Sequence, residues 1–243
     1  MIRTQSITFD LAMKPQQIFD FRGAFIDMVR SSKLTKQEKE LFSNREEAPD
    51  GSKGKAIERY PLIQYRWAEG KALIWAMNEG VDAIKKLVKS KIFDQFTIQN
   101  QHVPLLVTHT SEKELVALRI DEERAHLYLV FHFVPFGQDK EKEYHSMPTY
   151  IEKIKVLEQV LLNELVLLTY AVGMKTDKKI TVEIVDIIRK SNARYKTKNS
   201  DGSYMVIEPQ SYFMKIRSNI VLPEGIAIGR HKAYGYGIII PVA

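Results

Sequence analysis

Over the first 108 residues the apolar pattern switches between a period of two and a period near 3.6 in the order β, α, β, β, α, β, and few folds admit that order. Alternation at Ile7 to Met13 gives way, after Lys14-Pro15, to a helical stretch reaching about Ser32. Two short strands, Leu62 to Trp67 and Ala72 to Met77, are joined through Glu69-Gly70 as a hairpin. Asn78-Glu79-Gly80 then opens a helix from Val81 to Lys89, and Phe96 to Ile98 and Val103 to Thr108 supply further strands. The pattern predicts a ferredoxin-like unit, two helices covering one face of an antiparallel sheet. Ser31 to Arg59 interrupts it as a long charged surface loop containing one helical turn, Thr35 to Phe42.

A boundary is expected near Ser111 to Lys113, dividing the chain into residues 1–112 and 113–243. Beyond it, Val116 to Ile120 and Leu127 to Phe133 read as strands, with His126 and His132 on one face of the second. Met147-Pro148 starts the longest helix, which ends at Gly173, a suitable left-handed cap. Its apolar residues extend almost around the cylinder, predicting a central core helix. Strands follow at Ile180 to Ile187, Tyr204 to Ile207, Tyr212 to Ser218 and Gly237 to Val242. This half reads β, α, β, β with no second helix. The fold class is therefore α+β: tandem ferredoxin-like (RRM-like) units, the second degenerate. The sheet face without helices is expected to be free to meet RNA.

Charge narrows the partner. Between Arg189 and Lys232 nine Lys or Arg stand against three acids, an excess equal to the net charge of +6 carried by the whole chain. A polyanion footprint is expected there. In the polar excursion after Lys190, Arg194, Tyr195, Lys196 and Lys198 interleave an aromatic residue with bases. The chain has no cysteine, which excludes disulfides and thiolate metal sites, and its six histidines form no i, i+4 pair, so no metal or other cofactor is expected. The N-terminal decapeptide alternates like a strand rather than presenting a signal peptide's apolar core, and Leu157 to Met174 is too interrupted to span a membrane; the expected location is cytoplasmic, with no membrane partner.

The most specific segment is the last thirty residues. Ser211-Tyr-Phe-Met-Lys-Ile-Arg-Ser-Asn219 leads through Leu222-Pro223 into a loop with glycines at 225, 229, 235 and 237, and with Arg230, His231 and Lys232 between them. Such a loop can bring backbone amides close to phosphate, while Tyr234 and Tyr236 offer stacking surfaces. The string resembles the C-terminus of the CRISPR-associated endoribonucleases that cut repeat RNA into guide units. Phe213, Lys215, Arg217, Asn219, Leu222, Pro223, Gly229, Gly235, Tyr236 and Gly237 fit that family's pattern, and Ala227 stands where its first glycine would be. Tyr60-Pro-Leu-Ile-Gln-Tyr65 resembles a strand entry of one branch of the family.

The resemblance implies metal-independent cleavage, in which a ribose 2′-hydroxyl attacks the adjacent phosphate and leaves a 2′,3′-cyclic phosphate. It also implies CRISPR repeat RNA as partner, with other CRISPR effector proteins and a homodimer left open. RNA contacts would fall on Arg194, Lys196, Lys198, Lys215, Arg217, Gly229, Arg230, Lys232, Gly235, Tyr236 and Gly237. The branch carries its catalytic histidines in a Phe-His-Asn-His run upstream of the Tyr-Pro-Leu strand, where this chain has Phe42-Ser43-Asn44-Arg45. Arginine cannot lose its proton, so Arg45 can steady charge but cannot act as a base. Candidate proton carriers are Tyr60, Lys53, Lys55 and His231. A repeat-RNA-binding protein that cleaves weakly or not at all is the alternative reading.

Overall fold

In the computed structural model, residues 2–47, 53–57, 59–198 and 204–242 are described, and the chain divides into two compact units, residues 2–116 and Ala117 onward. Of Lys53, Lys196 and Lys198 only the strand positions are described, and residues 199–203 of the polar excursion lie outside the described residues.

In the first unit, β1 (Ile2–Ala12) leads through a 3-10 turn at Pro15–Gln17 into α1 (Ile18–Arg30). α2 (Lys36–Ser43) opens with a capping box: the Thr35 hydroxyl accepts from the Glu38 amide and the Glu38 carboxylate accepts from the Thr35 amide. Asn44, at φ 51, closes it. The segment expected as loop then forms a hairpin, β2 (Arg45–Glu47) with β3 (Lys53–Ala56). β4 (Ile63–Ala68), β5 (Lys71–Met77), α3 (Glu79–Lys89), the two-residue strands β6 (Thr97–Ile98) and β7 (Gln101–His102), and β8 (Val107–Val116) complete the unit.

The main sheet is antiparallel throughout, in the order β4-β5-β1-β8. Its helix-facing side packs rings: Phe9 meets Phe93 edge-on at 5.3 Å and lies 6.1 Å from Phe21, while Phe25 stacks on Phe42 at 6.1 Å. Each such pair adds roughly 0.5–1.5 kcal/mol beyond area burial. The division between the units falls after Val116, a few residues beyond the expected segment 111–113, because Glu112 pairs with Gln5 and β8 continues to Val116. The strand expected at Val103 to Thr108 does not form there, since pairing with β1 begins only at Val107. The second face of the sheet is likewise not open: Thr4, Gln64, Arg66, Trp75 and Met77 are buried, and the Arg66 guanidinium lies 4.6 Å from the Trp75 ring and donates to Gln64 Oε1.

The second unit contains β9 (Arg119–Ile120), β10 (His126–Phe133), α4 (Gln138–Ser146), α5 (Tyr150–Ala171), β11 (Val182–Asn192), β12 (Tyr195–Lys198), β13 (Tyr204–Ile207), β14 (Gln210–Ser218), β15 (Ile220–Val221) and β16 (Ile238–Pro241). Its sheet runs β11-β14-β10-β16, the same permutation as in the first unit, so the fold is a tandem of ferredoxin-like units. α4 escapes the periodicity argument because QDKEKEYHS is almost wholly polar; it is held by Tyr144, buried 4.9 Å from Phe136. α5, capped by Thr149 and Glu152, buries Leu157, Leu161, Leu165 and Leu168. It is not enclosed, as the encircling apolar residues suggested: Ile151 is 68% exposed and Tyr170 76%. One stripe packs on the sheet and the remainder faces outward.

Candidate nucleic-acid interface

The position that a second crossover helix would occupy is filled by residues 222–237, between β15 and β16. Gly225, Gly229, Gly235 and Gly237 all adopt positive φ, between 73° and 88°. Two of them are required by packing. A Cβ on Gly237 would lie 1.8 Å from the Ile228 carbonyl oxygen, and one on Gly229 would lie 2.7 Å from the Phe133 ring. Gly237 therefore closes the loop against its own backbone, a role different from the approach to phosphate expected of it. Ala227 needs no glycine, because it forms a bridge with Ile238.

Glu164 of α5 anchors this loop. Its Oε2 accepts from the Gly229 amide at 3.0 Å and from Lys232 Nζ, and both side chains of the ion pair are largely buried, 12% exposed for Lys232 and 18% for Glu164. Lys232 is thus committed to holding the loop rather than presented to a ligand. Glu164 was not singled out from sequence; its one visible signal was an acid interrupting an otherwise apolar helical stretch.

Around the loop the unit gathers bases and rings. Phe213 on β14 stacks on Phe131 of β10 at 4.5 Å, and Arg189 on β11 is the register partner of Phe213. Lys215, half-buried, sits between Leu129 and Asp186 in register, and Arg217 is paired with Glu183 at 2.8 Å, both side chains exposed. Such exposed pairs are worth at most about 1 kcal/mol, so Arg217 remains able to exchange its partner. Arg194 is exposed at the base of the β12–β13 hairpin, paired with Glu208 at 3.2 Å, and its carbonyl accepts from the Tyr236 hydroxyl at 3.4 Å. The exposed Arg230 guanidinium lies near Gly137, at the start of α4, and no ion pair engages it among the described residues. Lys196 and Lys198 lie on β12. Asn219 is structural: its side chain accepts from the Thr181 amide and donates to the Lys179 carbonyl.

The histidines separate by environment. His126 is paired with Asp121 at 3.1 Å. His132 does not share its face: the β10–β14 register shifts between Val130 and Phe133, His132 takes φ 52, and it is exposed while Phe133 fills the core. His231 takes φ 59 in the loop. Burial, reinforced by the neighbouring Arg230 guanidinium, pushes the His231 imidazole down to about 4. His132 is exposed on one side only, and partial desolvation on the other, with the Arg189 charge, lowers it as well.

In the first unit, the run Phe42-Ser43-Asn44-Arg45 is tightly tied. Ser43 Oγ accepts from the Arg45 amide and donates to the Arg45 carbonyl, the Ser43 carbonyl accepts from Arg22, and Asn44 exchanges hydrogen bonds with Ile57 and Arg59. Arg45 is exposed on the β2–β3 hairpin and donates to the Gly54 carbonyl at 3.1 Å, with Lys55 exposed and Lys53 on the same hairpin. Tyr60 is 0% exposed and its hydroxyl accepts from Gln64 Nε2. An enclosed phenol cannot meet a ribose, so its part is to anchor the entry to β4.

Comparison with known proteins agrees with this architecture. The chain matches the Cas6b N-terminal domain over residues 1–115 and the Cas6b C-terminal domain over residues 119–242. It is similar in fold to a crystal structure of Cas6b, at a TM-score of 0.68 and 16% identity over 100% of both chains. A crystal structure of the CRISPR RNA processing endoribonuclease Cas6b gives a TM-score of 0.62 at 16% identity, covering 99% of each chain. The type IV Cas6 crRNA endonuclease Csf5 gives 0.58 at 13% identity, covering 99% of this chain and 100% of Csf5. No curated protein sequence is significantly similar to the chain. With both of its halves matched and the tandem ferredoxin-like frame present, the chain belongs to the Cas6b family of CRISPR repeat-cleaving endoribonucleases.

Proposed function

We propose that this protein cuts CRISPR repeat RNA without a metal, by attack of a 2′-hydroxyl on the adjacent phosphate, giving a 2′,3′-cyclic phosphate and a free 5′-hydroxyl. The observation that carries the reading is the glycine-rich loop, pinned by Glu164 and flanked by Arg189, Arg194 and Arg230. Rigid backbone beside exposed guanidinium groups binds a phosphodiester at little ordering cost. RNA contacts are assigned to Arg194, Lys196, Lys198, Lys215, Arg217, Arg230 and Tyr236. Arg45, exposed on its hairpin, is assigned to charge stabilisation, with Lys53 and Lys55 beside it on the same hairpin. Gly229, Gly235 and Gly237 support the loop's shape.

A second reading, an RNA-binding protein that does not cut, is favoured by Phe42-Ser43-Asn44-Arg45, which holds no imidazole, and by the enclosure of Tyr60. Incubation with repeat RNA, with and without a chelator, separates the two. The nuclease reading expects chelator-resistant fragments ending in cyclic phosphate. Tight binding without fragments establishes the second reading, and loss of cleavage with chelator overturns the metal-independent step.

A further inference from the structure

Two histidines of the second unit hold strained backbone, and both address the same tyrosine. A positive φ costs a non-glycine residue roughly 1–3 kcal/mol and persists where the surroundings over-determine it, a pattern that clusters at functional sites. His132 has φ 52 and His231 φ 59. On an unbroken β10, His132 would follow Tyr128 and Val130 into the core, since both are buried. The register shift instead gives the inward position to Phe133 and turns His132 out. The kink is held from the loop: the Gly237 amide donates to the His132 carbonyl at 3.1 Å, and Gly237 is fixed by its closeness to Ile228. His231 is held in turn by the Tyr234 amide, which donates to its carbonyl at 2.8 Å.

The rings converge on Tyr236. Its centroid lies 6.4 Å from that of His132 at 82° and 6.3 Å from that of His231 at 73°. Other histidines are engaged elsewhere: His126 by Asp121, His145 by Glu141, and His102 by the Asp94 carbonyl. A guanidinium charge acts on each ring, that of Arg189 on His132 and that of Arg230 on His231.

From the shared tyrosine, the paired strained backbones and the flanking arginines, we infer that His132 and His231 together form the proton-transfer site of this protein, within its second unit. The inference rests on the endoribonuclease reading above and supplies what Phe42-Ser43-Asn44-Arg45 lacks. One imidazole, neutral, takes the proton of the ribose 2′-hydroxyl as O2′ bonds to phosphorus. The P–O5′ bond breaks, and the departing O5′ takes a proton from the other imidazole, which the negative charge of the bound phosphate holds in its protonated form against the nearby arginine. The products are the cyclic phosphate and the 5′-hydroxyl; no water is consumed, and exchange with solvent returns both imidazoles to their starting states.

Glycine tolerates positive φ, so His132→Gly and His231→Gly remove each imidazole while keeping its backbone conformation. In the full-length protein each should lower the single-turnover rate on repeat RNA by about 10²-fold or more, with RNA affinity within about threefold of wild type, and added imidazole should restore part of the rate. His132→Asn, which also tolerates this conformation, should be slow and not rescued. Cleavage by His132→Gly within threefold of an active wild type overturns the inference and leaves the nuclease reading standing. Parallel loss of affinity and rate in both His132 variants, without rescue, also overturns it and makes His132 an RNA contact. A wild type that binds repeat RNA and yields no cyclic phosphate removes the nuclease reading and this inference together.

Discussion

The two units share one strand permutation and differ in what crosses from the third strand to the fourth. In the first, β5 is followed by α3, which buries Val81, Ala83, Ile84 and Leu87 on the sheet. In the second, β14 is followed by the short β15, a glycine-rich loop and one 3-10 turn before β16. A helix satisfies its own backbone groups and needs only an apolar stripe. A loop in the same place must find partners for each amide, and here Val134, His132, Gly237 and Glu164 supply them. The comparison shows one frame used in two ways, closed by packing in the first unit and by a hydrogen-bonded loop carrying bases and imidazoles in the second.

Glycine replacement gives the largest effect on the second closure, set against a glycine elsewhere in the same unit. Gly237→Val places a Cβ 1.8 Å from a backbone oxygen, where nothing flexible can yield, and should prevent folding of the second unit or lower its stability by more than about 4 kcal/mol. Gly173→Ala, at φ 69 with nothing within 4 Å, should cost only about 1 kcal/mol. Thermal unfolding of both variants checks the ratio, and equal losses would return Gly237 to the role of an ordinary turn residue.

Next in size is the anchor. Glu164→Ala strands a largely buried Lys232 ammonium and the Gly229 amide, and should cost about 2–4 kcal/mol in urea unfolding. The exposed Lys85–Glu112 pair of the first unit supplies the control: Glu112→Ala should change stability by less than about 1 kcal/mol.

The third test uses protons. His231 titrates near 4 in the folded chain, below the ordinary value of 6.5, so between those values the unfolded chain binds the extra proton. Its contribution is complete above pH 6.5 and is lost as pH falls toward 4, amounting to about 3 kcal/mol across the window. Denaturant titrations at pH 7 and pH 4.5 should show a loss that shrinks in His231→Asn; an unchanged loss in the variant would place the titrating group elsewhere.

The smallest effects separate bases that face RNA from the one that holds the loop. Arg230→Ala should lower the salt slope of binding by roughly 0.7, one phosphate contact on a single strand, and Arg217→Ala by somewhat less because Glu183 competes for it. Lys232→Ala should leave the slope unchanged while lowering stability. A full unit of slope lost with Lys232 would overturn its assignment to Glu164.

Periodicity alone located seven strands of the two four-stranded sheets, along with α1, α3 and α5, because most of those elements are decided by which residues must leave water. It placed β8 too early, since no local property of Val103 to Val116 tells where pairing with β1 begins; that is settled by register with Ile2 to Phe9. It passed over α4, whose polar stretch is held by tertiary contacts such as Tyr144 with Phe136 and Glu141 with the Gln210 amide. At the site, the glycines, the basic run and the absence of histidine from Phe42-Ser43-Asn44-Arg45 were all visible as residue types, which is what a sequence records directly. Which base is free and which is spent was not visible: Lys232 and Arg230 are two positions apart, yet one is ion-paired to an acid on α5 and the other is exposed, because that acid lies 68 residues earlier in the chain. His132 depended most on tertiary structure. Alternation assigns it to the face of His126, and only the bulge, stabilised by Gly237 from the far end of the unit, turns it toward Tyr236. Composition and period are local sums and determine elements; partners are long-range and are determined only when the chain closes.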